Sequence, residues 1–185
     1  MKKKLILLLT LPLLVMLFSC YSGSGSSETT GITTPVVAEI PLSDVDFDVD
    51  LGGQPWAFDI EAATLVNDSY RSANWTGKYM QLVFMSLKPG EVIDLEIHED
   101  HDQFIRIEQG EAVVWMGKSE NDLTYRQEVE DDWAIMIPAG YWHKVENTGD
   151  VDLKLYTLYG PPEHPMGTSN KTYEEAIEAH GHHHH

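Results

Sequence analysis

One cysteine, three arginines and a single long apolar run are the scarcities that narrow this sequence first. With Cys20 the only thiol, no intrachain disulfide can form. Basic residues are few: 12 Lys and Arg stand against 30 Asp and Glu, the formal charge is −18, and three of the lysines crowd into residues 2–4. Nucleic acid is therefore excluded as an expected partner, because phosphate contacts need clustered Lys and Arg. Arg71, Arg106 and Arg126 are the only guanidinium groups. Their scarcity disfavours a multiply phosphorylated substrate, although one arginine can still grip a single anionic group. At 185 residues there is room for one domain and appendages, not for two full cores.

The apolar run occupies residues 5–18, interrupted by Pro12 and preceded by the lysines. It is short for a membrane span, and Leu17-Phe18-Ser19-Cys20 resembles a bacterial lipobox. The reading is a lipoprotein signal peptide over residues 1–19, cleavage before Cys20 and lipidation of its thiol; an uncleaved anchor is the alternative. The mature protein is then expected at the bacterial cell envelope, extracytoplasmic, periplasmic or surface-facing, touching the membrane only through its lipid anchor. Residues 20–40 follow as a small, polar, aperiodic linker. At the other end, five of the nine histidines fall in residues 180–185, either a native metal-scavenging tail or a purification tag.

Between these ends the pattern is that of short strands. Asp44 to Leu51 alternates acid with apolar residues, which predicts a strand with one wet face rather than a calcium loop, since the glycine and terminal glutamate of such a loop are missing. Phe58 to Leu65 suits one or two helical turns. Strands are predicted over the run from Lys78 to Lys88, around Leu95 to His98, from Gln103 to Ile107, Glu111 to Met116, Tyr125 to Val129, Trp133 to Ile137 and Leu153 to Tyr159, with Gly, Pro, Asn and Asp between them. Such spacing implies an all-β sandwich or barrel. The domain is placed at residues 41–168, and residues 169–185 form a C-terminal helix, over Lys171 to Ala179, and the His-rich tail.

Chemistry concentrates in Gly90 to Gly110. On a strand, Glu96 and His98 lie two apart and share a face, about 6.6 Å along the chain. If the next strand folds back as a hairpin, Gln103 converges on them. The segment IPAGYWHKVEN offers His143 as a further ligand, while His101, three residues from His98 in a charged turn, is the competing histidine.

These two segments resemble the paired motifs of the cupin superfamily. In the first motif a glycine leads to His-x-His, four residues, Glu, six residues and Gly; the second reads Pro-x-Gly-x-x-His-x-x-x-Asn. The spacing is matched by Gly90, Glu96, His98, Gln103 and Gly110, then by Pro138, Gly140, His143 and Asn147. Identity departs at Glu96, where histidine is usual, at Gln103, where glutamate is usual, and at Asp132, which replaces the opening glycine of the second motif. The resemblance implies a cupin jelly-roll β-barrel with short flanking helices, and a metal held by Glu96, His98, Gln103 and His143.

Two imidazoles, a carboxylate and an amide oxygen suit a divalent transition metal, Zn, Mn, Fe, Ni or Co. The mixture is similar to the zinc set of mannose-6-phosphate isomerases, with Gln and Glu exchanged in order, over roughly Pro55 to His164. The expected ligand is a small oxygenated molecule, sugar-like or aromatic, handled by Lewis-acid isomerase or lyase chemistry or by oxygenation. Glu96 is the general base if it does not ligate. Trp142, Trp115, Tyr156 and Trp133 are the aromatic candidates for pocket walls. A non-catalytic carbohydrate or small-ligand module is the rival reading, and a homodimer through sheet edges is the protein partner that the fold allows.

Overall fold

Every residue of Gln81–Leu87 is buried, and this apolar stretch is the strand on which the larger sheet is built. The computed structural model describes residues 46–181. The expected signal peptide, Cys20, the expected linker and the terminal histidines 182–185 lie outside the described residues. Strands β1 (Arg71–Thr76) and β2 (Gln81–Leu87) form an antiparallel hairpin through the Gly77 turn, whose amide donates to Met80 O at 2.9 Å. Strands β3 (Val92–Ile97), β4 (Asp102–Gln109), β5 (Glu111–Gly117) and β6 (Tyr125–Glu130) follow, then β7 (Ala134–Ile137), β8 (Trp142–Asn147), β9 (Leu153–Gly160) and the two-residue β10 (Ser169–Asn170). They divide into a six-stranded sheet, β10-β1-β2-β9-β4-β7, and a four-stranded sheet, β3-β8-β5-β6. From β2 to β9 the chain crosses between the sheets at every connection but β5–β6. The result is the expected all-β jelly roll.

The main core fills the space between the sheets. Val83, Met85, Ile105, Ile107 and Leu155 come from the larger sheet, and Ile93, Val114 and Val145 from the smaller. The two-residue spacing of these positions is the strand period. Helix α1 (Ile60–Val66) begins at Asp59, whose side chain accepts the Ala62 amide at 3.0 Å and so caps the first turn. It helps bury the outer face of the larger sheet, where Phe84 and Leu82 pack with Ala63, Phe47, Trp56 and Phe58. This second layer is why β2 is covered on both faces and reads as an unbroken apolar run.

Three expectations are corrected. Residues 46–51 do not form a strand: they turn and run extended, with Asp50 Oδ1 accepting the amides of Gly52 at 2.8 Å and Thr76 at 2.9 Å. Local hydrogen bonding by aspartate has overridden the alternating pattern. Strands β3 and β4 are not a hairpin but belong to opposite sheets, β3 paired with β8 and β4 with β7 and β9. Residues 169–181 are not a peripheral appendage. Strand β10 pairs with β1, and helix α2 (Tyr173–Gly181) sends Ala176 into the main core. No helix among the described residues is long and apolar enough to cross a membrane.

Turn chemistry accounts for the spacing of the two motifs. Gly110, at φ +94°, joins β4 to β5, and a Cβ there would lie 3.2 Å from Asp152 O. Gly140, at φ +73°, sits in the turn that the Tyr141 amide closes on Pro138 O at 3.2 Å, and its own amide reaches His98 O at 2.8 Å. Asp132 takes φ +70°, the left-handed conformation for which glycine is favoured and which Asp tolerates better than most. Asn147 donates to Leu87 O and Val151 O, both at 2.8 Å, and accepts the Gly149 amide at 3.0 Å. Replacing Asn147→Ala strands the buried Leu87 carbonyl and should cost about 2 kcal/mol; Phe84→Ala should cost about 3–5 kcal/mol. Urea unfolding midpoints check both.

Candidate metal centre

The backbone of β3 decides which of its side chains face inward. Ile93 stands opposite Val145 of β8, but the next paired residue, Glu96, stands opposite His143. Three steps along β3 thus match two along β8, which is a β-bulge. Strict alternation from Ile93 would have turned Leu95 and Ile97 inward and Glu96 outward. The bulge reverses this, and Glu96 and then His98 face the interior beside His143. On β8 the alternation is regular, with His143, Val145 and Asn147 buried and Trp142, Lys144 and Glu146 half-buried.

One ligand atom from each of Glu96, His98 and His143 lies within 4.8 Å of the others. Glu96 Oε1 is 3.3 Å from His143 Nε2 and 3.4 Å from His98 Nε2. Good charge-assisted N–H···O bonds are shorter, about 2.7–2.9 Å. Tetrahedral ligands at about 2.0–2.2 Å from an ion are instead separated by about 3.3–3.6 Å. The remaining ring nitrogens are held from behind. His143 Nδ1 lies 3.2 Å from Tyr141 O, and His98 Nδ1 lies 3.6 Å from Glu163 Oε2. Such partners orient a ligating imidazole and point its other nitrogen at the centre.

Gln103 reaches the same interior from the opposite sheet. It is buried and pairs in register with Tyr159, whose ring centroid is 5.6 Å from that of His98. Its Nε2 donates to Thr157 Oγ1 at 3.1 Å, while Oε1 is buried without a hydrogen-bond partner among the described residues. His98 Nε2 is likewise without a well-formed hydrogen bond. Two buried polar atoms without a well-formed protein hydrogen bond fit a set of groups able to hold a cation, since buried polar groups are otherwise satisfied. His101, its ring centroid 5.8 Å from that of His98, has partners of its own: Nδ1 pairs with Asp100 at 2.7 Å, and Nε2 lies 3.3 Å from Glu163 and 3.1 Å from Pro162 O. A second acidic group, Glu108, Asp131 and Asp132, adjoins Arg106, which pairs with Glu108 at 3.4 Å and with Asp132.

Electrostatics follow from the packing. Burial opposes a charged Glu96, yet the hydrogen bond from His143 and the approach of His98 outweigh it and hold the carboxyl well below the usual carboxylate range. Burial also works against a charged His98, but its pKa is raised because Glu96 sits beside it. Glu163 is the other carboxylate at His98.

Residues 83–159 match the family model described as Cupin domain. The uncharacterized protein YrkC of Bacillus subtilis (strain 168) is 51% identical over 130 residues, 70% of this chain and 70% of that one. The chain belongs to the cupin-domain family. An uncharacterized protein of Acanthamoeba polyphaga mimivirus is 44% identical over 115 residues, 62% of this chain and 70% of that one. The crystal structure of BH2720 from Bacillus halodurans is similar to this cupin with a TM-score of 0.69 at 47% identity, covering 70% of this chain and 98% of that one.

In this cupin Glu96 and His98 line a cavity of about 510 Å³ together with Trp142 and Glu163, while His143 is fully buried behind them. Of the aromatic candidates, only Trp142 lies on its wall. Trp115 faces away, beneath Lys144 at 5.3 Å and Arg126 at 5.9 Å, and Tyr156 packs in the outer apolar layer near Phe104. Trp133 does not line this cavity either. Strand parity puts Trp115 and Tyr156 on the outer face, and Trp133 lies just before β7. Four lining residues escaped sequence reasoning: Arg71, Tyr70, Tyr173 and Glu163. They stand at element ends or in loops, where no period exists; the rarity of arginine was the one available signal. Replacing Glu163→Gln should lower zinc affinity about tenfold, whereas Asp100→Asn should leave it within about twofold, as read by competition with a chromogenic chelator.

Proposed function

We propose that this cupin binds a divalent transition metal, Zn, Mn, Fe, Ni or Co, through Glu96, His98 and His143, with Gln103 Oε1 as a fourth protein group, and acts on a small oxygenated molecule. One observation carries the reading: a single carboxylate oxygen lies 3.3 and 3.4 Å from two imidazole nitrogens, a separation suited to ligands sharing an ion. When bound, such an ion supplies Lewis-acid polarisation of a carbonyl or hydroxyl, or, as iron, a site for dioxygen chemistry. The chain's own groups set the conditions. Glu96 contributes one negative charge, which leaves the centre net positive. Tyr141 O and Glu163 fix the two imidazoles. Trp142 and Tyr173 supply aromatic walls.

The likeness of the ligand set to that of mannose-6-phosphate isomerases supports the metal and the isomerase or lyase class. It does not extend to the phosphosugar, for which the chain offers few cations. The setting we propose is the cell envelope, with the lipid anchor at Cys20, which rests on the first 20 residues alone.

A second reading, a non-catalytic module for a carbohydrate or other small ligand, is favoured by the close approach of Glu96 to both imidazoles, which gives the carboxylate protein partners of its own. Elemental analysis separates them in the first instance. With His182 to His185 replaced by serine, the protein should carry about one transition metal per chain, and a Glu96→Ala, His98→Ala double variant should lose it. Metal content equal to wild type in that variant contradicts the site. Turnover against a panel of sugars and aromatic acids supports the enzyme, while a ligand-dependent rise in Tm without turnover supports the binding module.

A further inference from the structure

Thr157 lies on the inner face of β9 among Leu153, Leu155 and Tyr159, and it is fully buried. Its cross-strand neighbours are Val83 on β2 and Ile105 on β4, both apolar and fully buried. Valine has the shape that such a position asks for, and a hydroxyl placed there is costly unless it is bonded. The bond is to Gln103, whose Nε2 donates to Thr157 Oγ1 at 3.1 Å. Gln103 stands opposite Tyr159 and Thr157 opposite Ile105, so the two side chains are diagonal neighbours across β4 and β9.

The backbone brings this pair to the end of the barrel that holds His98. The turn at residues 138–140 bonds to both sides of the interior, Ala139 N to Asp102 Oδ1 at 3.0 Å and Gly140 N to His98 O at 2.8 Å. Gln103 follows Asp102 and therefore enters the core at that same end. An amide offers oxygen from one end only, and a cation needs that end. The nitrogen end must then find an acceptor inside the core, because a buried donor without one is costly. Thr157 Oγ1 is that acceptor, and Oε1 of the same planar amide is left without a hydrogen-bond partner among the described residues. Turned about, the amide would present N–H groups where the ion needs a lone pair.

We infer that Thr157 is a positioning residue of this centre: its hydroxyl holds the Gln103 amide by the nitrogen and so presents Oε1 as the fourth protein group. The inference rests on the metal reading above for the ion, and adds to it the residue that decides which end of Gln103 the ion meets. Thr157 acts through Gln103 and supplies no ligand atom of its own.

Cobalt binding by the full chain, with His182 to His185 replaced by serine, tests it. The readouts are affinity and the visible absorption of the bound ion, which responds to the number and kind of its ligands. Thr157→Val and Thr157→Ala, which both remove the hydroxyl, should lower cobalt affinity about tenfold and change the visible spectrum, while Thr157→Ser keeps both as in wild type. Gln103→Ala should show the same loss, and adding Thr157→Val to it should cost nothing further, as expected of two residues that act as one. Wild-type affinity and spectrum in Thr157→Val, Thr157→Ala or Gln103→Ala overturn the inference. So does a double variant that multiplies the two single losses, or a fall in the Tm of the metal-free Thr157 variants with an unchanged cobalt spectrum, which assigns the hydroxyl to packing alone. His98→Ala tells this failure from that of the metal reading. If it loses cobalt while the Thr157 variants do not, the centre stands without Thr157; if it binds cobalt as wild type does, the centre and the inference fall together.

Discussion

A carboxylate lodged between two imidazoles in the interior of a β-barrel is the constraint that the rest of this cupin accommodates. Burial opposes the charge on Glu96, so both histidines must stand close enough to compensate it. That requirement fixes the register of β3 against β8 and calls for the bulge between Ile93 and Glu96. It also ties the two motifs together, since the Gly140 amide bonds to His98 O and Ala139 N is received by Asp102 Oδ1 at 3.0 Å. The motif spacing of Pro138, Gly140 and His143 is thus a turn and a strand start, arranged so that His143 on β8 meets His98 just after β3.

Around this centre the two ends of the described chain close the cavity. Arg71 enters from β1, while Tyr173 and Ala176 enter from α2, which lies after the last long strand. Tyr70 OH donates to Val92 O at 2.7 Å, and its ring meets Tyr173 edge to face at 5.5 Å. The helix that composition suggested as an outer appendage is therefore part of the wall. Glu163, in the loop after β9, completes it and braces His98 from the side opposite the centre.

Much of this architecture was legible locally. The unbroken apolar run of β2, the alternation in β4 and β8 and the glycines at turns each correspond to a backbone requirement that acts over a few residues. Asp132 illustrates this well: it stands where the motif has glycine and adopts the positive φ that glycine would. What misled was parity and partnership. The charged turn after His98 resembled a hairpin, but the chain there passes from one sheet to the other. Trp115 and Tyr156 were placed at the site by residue type alone, and the face each occupies depends on a register that no single strand reveals. Asp46 to Leu51 alternates as a strand does, yet Asp50 spends its oxygens on backbone amides instead.

The sequence by itself determined the fold class, the spacing of the two motifs and the residue types available for chemistry, because turns and strand alternation are short-range physics. Only the tertiary structure decided that Glu96 rather than Leu95 faces inward, that Gln103 approaches from the opposite sheet, and that Arg71 and Glu163 share the cavity. Those outcomes depend on how two sheets register and pack across a common core, and such contacts join residues far apart in the chain through no local signal.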